Sequence, residues 1–286
     1  KNTGLGGIWI GAILLAAITS LPELATTTAS ILFVGSPELS VSNVLGSNIF
    51  NLLIIAVLNL VHRKSFFSTV SPRHILSANL GILLALLCGG SILCRNIVDI
   101  PSFGMIGADT FAIFIAYLLG TLCLSRFEEE HKTVSEKIGG LLWAKFIASA
   151  LIVVGTGIAL SLLADRIVER YNLTYTFVGV IFLATATSLP EISVCWGAVK
   201  NGHYDMGLAN ILGSNIFNIV IIVVSDVIFI QGAILGELTI SHIMICGLQI
   251  AMTSILMIGI VFRNRWDSIA IVLIYLIGIC FLYRMR

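Results

Sequence analysis

The sequence predicts an all-α, polytopic membrane protein built as two inverted-topology repeats of five transmembrane helices. Three observations predict it. The chain is 58% hydrophobic and 11% charged, against about 25% charged residues in a soluble domain. Its apolar residues fall into nine segments near the length that spans about 30 Å of hydrocarbon. And one stretch occurs twice: Thr19-Ser20-Leu21-Pro22-Glu23 followed by Gly46-Ser47-Asn48-Ile49-Phe50-Asn51, then Thr187-Ser188-Leu189-Pro190-Glu191 followed by Gly213-Ser214-Asn215-Ile216-Phe217-Asn218.

The apolar segments run over 6–34, 40–61, 75–94, 104–125, 139–164, 174–199, 206–230, 238–262 and 267–284. The first and sixth carry the Thr-Ser-Leu-Pro-Glu copies, and the second and seventh carry the Gly-Ser-Asn-Ile-Phe-Asn copies. The copies are thus five spans apart. Five is odd, so they cross the membrane in opposite directions, the plan of many secondary transporters with a midplane site. The second half has a helix, 139–164, ahead of its proline-bearing segment. Symmetry therefore predicts a matching helix upstream of Lys1 and ten in all. The expected division is a first repeat over 1–125, a cytoplasmic linker over 126–138 and a second repeat over 139–286. The linker is polar, with Glu128, Glu129, Glu130, His131 and Lys132.

Orientation follows from the loop cations. The side holding Lys1 also carries Arg63, Lys64, Arg73, Arg126, Lys132, Lys137, Lys200, Arg263 and Arg265. The other carries Arg95, Arg166, Arg170, Arg284 and Arg286. Ten against five places Lys1 on the cytoplasmic side. The net charge of +1 gives no reason to expect nucleic acid. The six cysteines are scattered through apolar runs without a CxxC pair and read as small packing residues. Trp9, Trp143, Trp196 and Trp266 lie near segment ends and read as interface anchors. His242 reads as interfacial too. Asn59 and Asp226 occupy matching places in the two halves and suit packing or interfacial roles, and Asp109 suits a helix N-terminus.

An ionisable group inside an apolar segment is costly, so Glu23 and Glu191 mark a functional site. Pro22 and Pro190 lack an N–H and disfavour helix at the preceding residue. Each is expected to break its helix and free carbonyls near Ala16 to Thr19 and Ala184 to Thr187. Free carbonyls at the end of a half-helix suit a cation. The Thr19, Ser20, Thr187 and Ser188 hydroxyls add neutral oxygens, and the two glutamates add charge. An all-oxygen shell favours hard cations such as Ca²⁺ and Na⁺, and a motif without His or Cys disfavours Zn²⁺ or Cu⁺. The competing reading is local: Ser20-Leu21-Pro22-Glu23 also has the form of a capping box. Gly46 and Gly213 suit close helix approach, and Asn48 and Asn215 suit bonds across the helix interface. Ser47, Asn51, Ser214 and Asn218 share a helix face turned toward the glutamates.

At these residues the sequence resembles the cation/calcium exchanger superfamily, on its sodium/calcium exchanger branch of prokaryotic type. The matched stretches are similar to that family's alpha repeats over Gly11–Val57 and Gly179–Val224. The resemblance implies a ten-helix fold in two inverted halves. It implies that Glu23 and Glu191 are the shared carboxylates of a calcium site to which Thr19 and Thr187 give backbone carbonyls. Ser20, Ser188, Ser47 and Ser214, with the Ala16 and Ala184 carbonyls, would form flanking sodium sites, and Asn51 and Asn218 would line the middle. The family usually has Gly where this chain has Ile18, Ala186, Ser42 and Ala209. An Asp at the position of Asn218 is usual in the potassium-dependent branch, so Asn there implies no K⁺ co-transport.

The expected function is a secondary antiporter that exports cytoplasmic Ca²⁺ in exchange for Na⁺ by alternating access. A proton-coupled Ca²⁺/cation antiporter is the main alternative, and a cation channel a further one. No Ser–His or HExxH arrangement supports an intramembrane enzyme. No cofactor and no obligate protein partner are expected. The ions are substrates, and the protein is expected in the cell (inner) membrane.

Overall fold

A computed structural model describes residues 15–62, 66–98, 100–103, 106–126 and 140–285, with only the backbone of 140–147. Residues 15–19 are helical and lead into α1, Leu21–Ala29, which continues as a π-helical turn over Ser30–Val34. Gly35, at φ 72°, lets the chain reverse there. Ser36 then caps α2, Pro37–Val61, by accepting the Leu39 N–H at 3.1 Å. Proline at the first position of α2 needs no donor. The half continues with α3, Phe66–Thr69, α4, His74–Arg95, and α5, Ala108–Ser125. The chain reaches α5 through a two-stranded hairpin, β1 Ser102–Phe103 and β2 Ile106–Gly107. That hairpin takes the start of the span expected from 104.

The second half begins with α6, Gly140–Tyr171. It outlasts the expected segment by seven residues, because hydropathy marks where lipid ends and a helix can run on into water. Next come α7, Tyr175–Val178, a π-helical turn over Gly179–Leu183, and α8, Ala184–Thr187. Then follow α9, Leu189–Lys200, α10, Tyr204–Ile228, a 3₁₀ turn over Ile234–Glu237, α11, Ile240–Phe262, and α12, Asp267–Arg284. Thus α1, α2, α4 and α5 recur in order as α9, α10, α11 and α12. The repeated helices α2 and α10 are each 25 residues long, and α5 and α12 each 18.

Seven of these helices are long and apolar enough to cross a membrane, and α7–α8 with α9 make one more span bent by 46°. Of the first expected segment, residues 15–34 are described, and within them Leu21–Val34 is a shorter apolar helix. All but Arg126 of the expected linker lies outside the described residues, as do Trp9 and the Trp143 side chain. Trp196 and Trp266 are exposed, as interface anchors would be. Of the cysteines, Cys88, Cys195 and Cys246 are buried, whereas Cys94, Cys123 and Cys280 are exposed. Only the first three therefore serve as packing residues.

The centre is α2 and α10, which pack on each other. In its most apolar window α2 is 72% buried, whereas α6 is 17% buried. Gly46 of α2 explains how closely the halves approach. A Cβ there would stand 2.6 Å from the Val180 Cα of the opposite repeat. The asparagine and aspartate at matched positions fasten the loops. Asn59 Oδ1 accepts from Phe67 N at 3.3 Å and Asp226 Oδ1 accepts from Ile234 N at 2.6 Å, each eight residues on. Each also reaches the start of the other repeat's last helix: Asn59 Nδ2 donates to Ser268 Oγ at 2.8 Å, and Gly107 N donates to Asp226 Oδ2 at 2.9 Å. Both are fully buried, so packing is their role. Asp109 does open α5, and it also holds Arg95 through two bonds of 2.7 Å.

Candidate functional site

Both proline motifs break their helices alike. Ser20 has φ −86° and ψ 10°, and Ser188 φ −83° and ψ 10°. Helix resumes at Leu21 and Leu189 with the proline second, where its missing N–H costs nothing. The capping reading is overturned here. Neither serine side chain caps its own helix. Ser188 Oγ instead donates across the repeats to Glu23 Oε1 at 3.2 Å. Ser20 Oγ has no partner among the described residues.

The carbonyls behave differently from expectation. Ala16 O accepts Ser20 N at 2.9 Å and the Thr19 hydroxyl at 3.1 Å. Ala184 O accepts Ser188 N at 3.1 Å and the Thr187 hydroxyl at 3.4 Å. Neither has lost its partners. The reason is positional: proline deprives the carbonyl four residues back, which is that of Ile18 or Ala186. Thr19 and Thr187 end the upstream segments, where helical carbonyls lack partners within the helix.

All twelve expected residues come together in the core. Thr19 is 5% exposed, Ala16 1%, and Ala184, Ser20, Glu23, Ser47, Asn51, Thr187, Ser188, Glu191, Ser214 and Asn218 are 0% exposed. The contacts follow the pseudo-two-fold relation between the halves. Thr19 Oγ1 lies 3.2 Å from Ser214 Oγ, and Thr187 Oγ1 lies 3.3 Å from Ser47 Oγ. Ser214 donates to Glu191 Oε1 at 3.2 Å. Asn51 Nδ2 donates to Asn215 Oδ1, and Asn218 Nδ2 to Asn48 Oδ1, both at 2.9 Å. Since these amides spend their N–H groups across the interface, their oxygens are left over.

Five of the leftover atoms are oxygens on the expected residues. Ser20 Oγ, Glu23 Oε2, Asn51 Oδ1, Glu191 Oε2 and Asn218 Oδ1 are buried without a partner among the described residues. Buried polar atoms are normally paired, and a buried carboxylate without a counter-charge is costly. Here both repeats bury unpaired oxygens, two of them carboxylate, on helices that pack against one another. Such a set suits a hard cation. Where the family usually has Gly, Ile18 is 47% exposed and turns away from the cluster. Ser42 Oγ lies 2.9 Å from His242 Nε2.

Several residues at or beside the cluster were missed. His242 is 0% exposed and caps α11 with Thr239, so it is not interfacial. Asn43 donates to Thr26 Oγ1 at 2.7 Å and Thr27 Oγ1 at 3.1 Å, and accepts Thr187 Oγ1 at 3.3 Å. Asn48 and Asn215 bridge the repeats. That bonding across the interface is the role their place in the duplicated hexapeptide predicts, so these two were read correctly. Gln249 on α11 accepts from Asn48 Nδ2 at 3.2 Å. It lies outside both copies, and no repeat signal could have found it.

A helical membrane protein with inverted halves and a buried oxygen cluster at their interface belongs to the class of secondary transporters. Comparison with known proteins agrees. The family described as "Sodium/calcium exchanger protein" matches residues 1–123 and 141–284. The inner membrane protein YrbG of Escherichia coli is 30% identical over 236 residues, which are 78% of this chain and 69% of that protein. The putative antiporter CaxA of Alkalimonas amylolytica is 24% identical over 257 residues, 82% of this chain and 74% of its own length. Among solved structures, the sodium-calcium exchanger NCX_Mj soaked with 10 mM Na⁺ and zero Ca²⁺ superposes with TM-score 0.60 at 21% identity. It covers 97% of this chain and 88% of its own, a likeness of fold. The chain belongs to the sodium/calcium exchanger family. It is a multi-pass integral membrane transporter and not an enzyme.

Proposed function

We propose that this protein exports Ca²⁺ from the cytoplasm in exchange for external Na⁺, by alternating access to the cluster between the repeats. The observation that carries this reading is the set of five unpartnered buried oxygens, drawn from both halves and including both repeat glutamates. With both glutamates ionised the cluster carries a charge of about −2. One Ca²⁺ neutralises it, and so do two Na⁺. The ions therefore compete for the same carboxylates, and the carrier holds one kind or the other.

In this reading Glu23 and Glu191 hold Ca²⁺, with the Thr19 and Thr187 carbonyls beside them. Ser20, Ser188, Ser47 and Ser214 take flanking Na⁺, and Asn51 and Asn218 face the middle. The Ala16 and Ala184 carbonyls join the flanks through a second lone pair. That pair comes free when the threonine hydroxyl, with its single proton, turns from its own helix to the serine opposite. The repeats that supply these groups run over 1–125 and 139–286, joined by a cytoplasmic linker.

The test is ⁴⁵Ca²⁺ flux into proteoliposomes under imposed Na⁺, K⁺ or H⁺ gradients. Flux should follow Na⁺ and be indifferent to K⁺. Lowering pH should inhibit, because protons then compete for the carboxylates. Flux that follows H⁺ and ignores Na⁺ would place the protein with proton-coupled antiporters. Conduction without a counter-ion gradient would indicate a channel.

A further inference from the structure

We infer that Gln249 is a positioning residue for cation binding: through Asn48 it keeps the Asn218 amide turned with its oxygen, not its nitrogen, toward the cluster. This rests on the reading of that cluster as the transport site.

A primary amide has a donor end and an acceptor end, and its orientation is set by the network it joins. Asn218 Nδ2 donates to Asn48 Oδ1 at 2.9 Å, which leaves Asn218 Oδ1 unpaired. That oxygen attracts a cation, whereas the NH₂ in its place would repel one. Asn218 keeps this orientation only while Asn48 offers it an acceptor. Asn48 does so because its own NH₂ is committed to Gln249 Oε1 at 3.2 Å. The chain Gln249, Asn48, Asn218 thus passes one polarity from α11 to the cluster. It is wholly buried: Gln249 is 1% exposed, and Asn48 and Asn218 are 0% exposed.

The arrangement has no twin. On the other side of the pseudo-two-fold axis, Asn51 donates to Asn215 Oδ1 at 2.9 Å, and Asn215 Nδ2 donates to the Asn48 backbone carbonyl at 3.0 Å. A backbone carbonyl cannot invert, so that arm is fixed by the main chain. The Asn218 arm relies on a side chain. Gln249 follows α4 residues by the repeat spacing, yet Gly81 and Ile82 stand at those places. Two amides that look equivalent in the duplicated sequence are therefore held by unlike means. Gln249 retains an unpaired Nε2, so it is itself the free end of the chain.

The test is Ca²⁺ flux in proteoliposomes, separating half-saturating Ca²⁺ from maximal rate, for Gln249→Leu and for Gln249→Met, whose unbranched side chain is the gentler change. Each is combined with Asn218→Asp, which offers only acceptors whichever way it turns. In the native background, loss of the Asn48 acceptor should raise half-saturating Ca²⁺ about five- to tenfold. In the Asn218→Asp background the same substitutions should leave it unchanged, since residue 218 then presents an acceptor whichever way it turns. An equal rise in both backgrounds overturns the proposal, as does a loss of maximal rate with half-saturation unaltered in both substitutions. If Glu23→Gln and Asn218→Asp alone leave half-saturating Ca²⁺ unaltered, the reading of the cluster fails first and this inference falls with it.

Discussion

Ser188 donates a hydrogen bond to the Glu23 carboxylate at 3.2 Å, across the interface between two repeats that run in opposite directions. Its counterpart Ser20 makes no such bond. The two serines are identical in sequence context and unlike in contact. Removing the hydroxyl should therefore have unequal effects. A hydrogen bond to a charged group is worth about 1.5–3 kcal/mol. Ser188→Ala should weaken the hold on Glu23 and change half-saturating Ca²⁺ by about tenfold or more. Ser20→Ala should change it less. Titration of Ca²⁺ flux at a fixed Na⁺ gradient measures both, and a larger effect of Ser20→Ala would contradict the asymmetry.

The carboxylates carry the charge of the proposed site. Gln keeps the shape of Glu and removes the charge, leaving a bound cation under-neutralised. Glu23→Gln and Glu191→Gln should each abolish Ca²⁺ exchange while the protein remains folded, as read by gel filtration in detergent. Each substitution also removes a buried charge, so thermal stability should hold or rise. Near-native flux in either variant would remove that glutamate from the site.

Gly46 sets how closely α2 meets the opposite repeat. Its missing Cβ would come within 2.6 Å of Val180 Cα and 3.2 Å of the Val180 carbonyl. Backbone atoms yield little, and overpacking costs about 1–3 kcal/mol. Gly46→Ala should lower the unfolding midpoint and reduce flux. By contrast Gly155, on α6, has nothing within 4 Å of an added Cβ, and Gly155→Ala should be neutral in the same assays.

Topology is testable independently of transport. From the ten-to-five distribution of loop Lys and Arg, the segment between the halves is expected in the cytoplasm. On a cysteine-free background, cysteine at position 132 should react with an impermeant thiol reagent from inside, and cysteine at 168 from outside. Labelling of both from one face would contradict the inverted arrangement.

Much of this protein was legible without coordinates. A carboxylate and a proline placed twice within apolar segments have few explanations in lipid, so Glu23 and Glu191 marked the candidate site. The odd number of spans between the copies announced their inversion. These inferences work because the bilayer makes unpaired polarity expensive, and position along the chain then suffices to expose it. What the sequence could not decide was which partner each polar group takes. Ser20 and Ser188 had the form of helix caps, and in the fold one crosses to a glutamate while the other is left unpaired. Ala16 and Ala184 were expected to offer free carbonyls, but their bonds survive because the deprived carbonyls lie two residues further on. Gln249 carried no repeat signal, and it reaches Asn48 only because α11 packs on α2. Hydropathy and duplication are properties of the chain read one residue at a time. Hydrogen bonds join residues about 140 to 200 positions apart and depend on distances of a few tenths of an ångström, which only the packed structure defines.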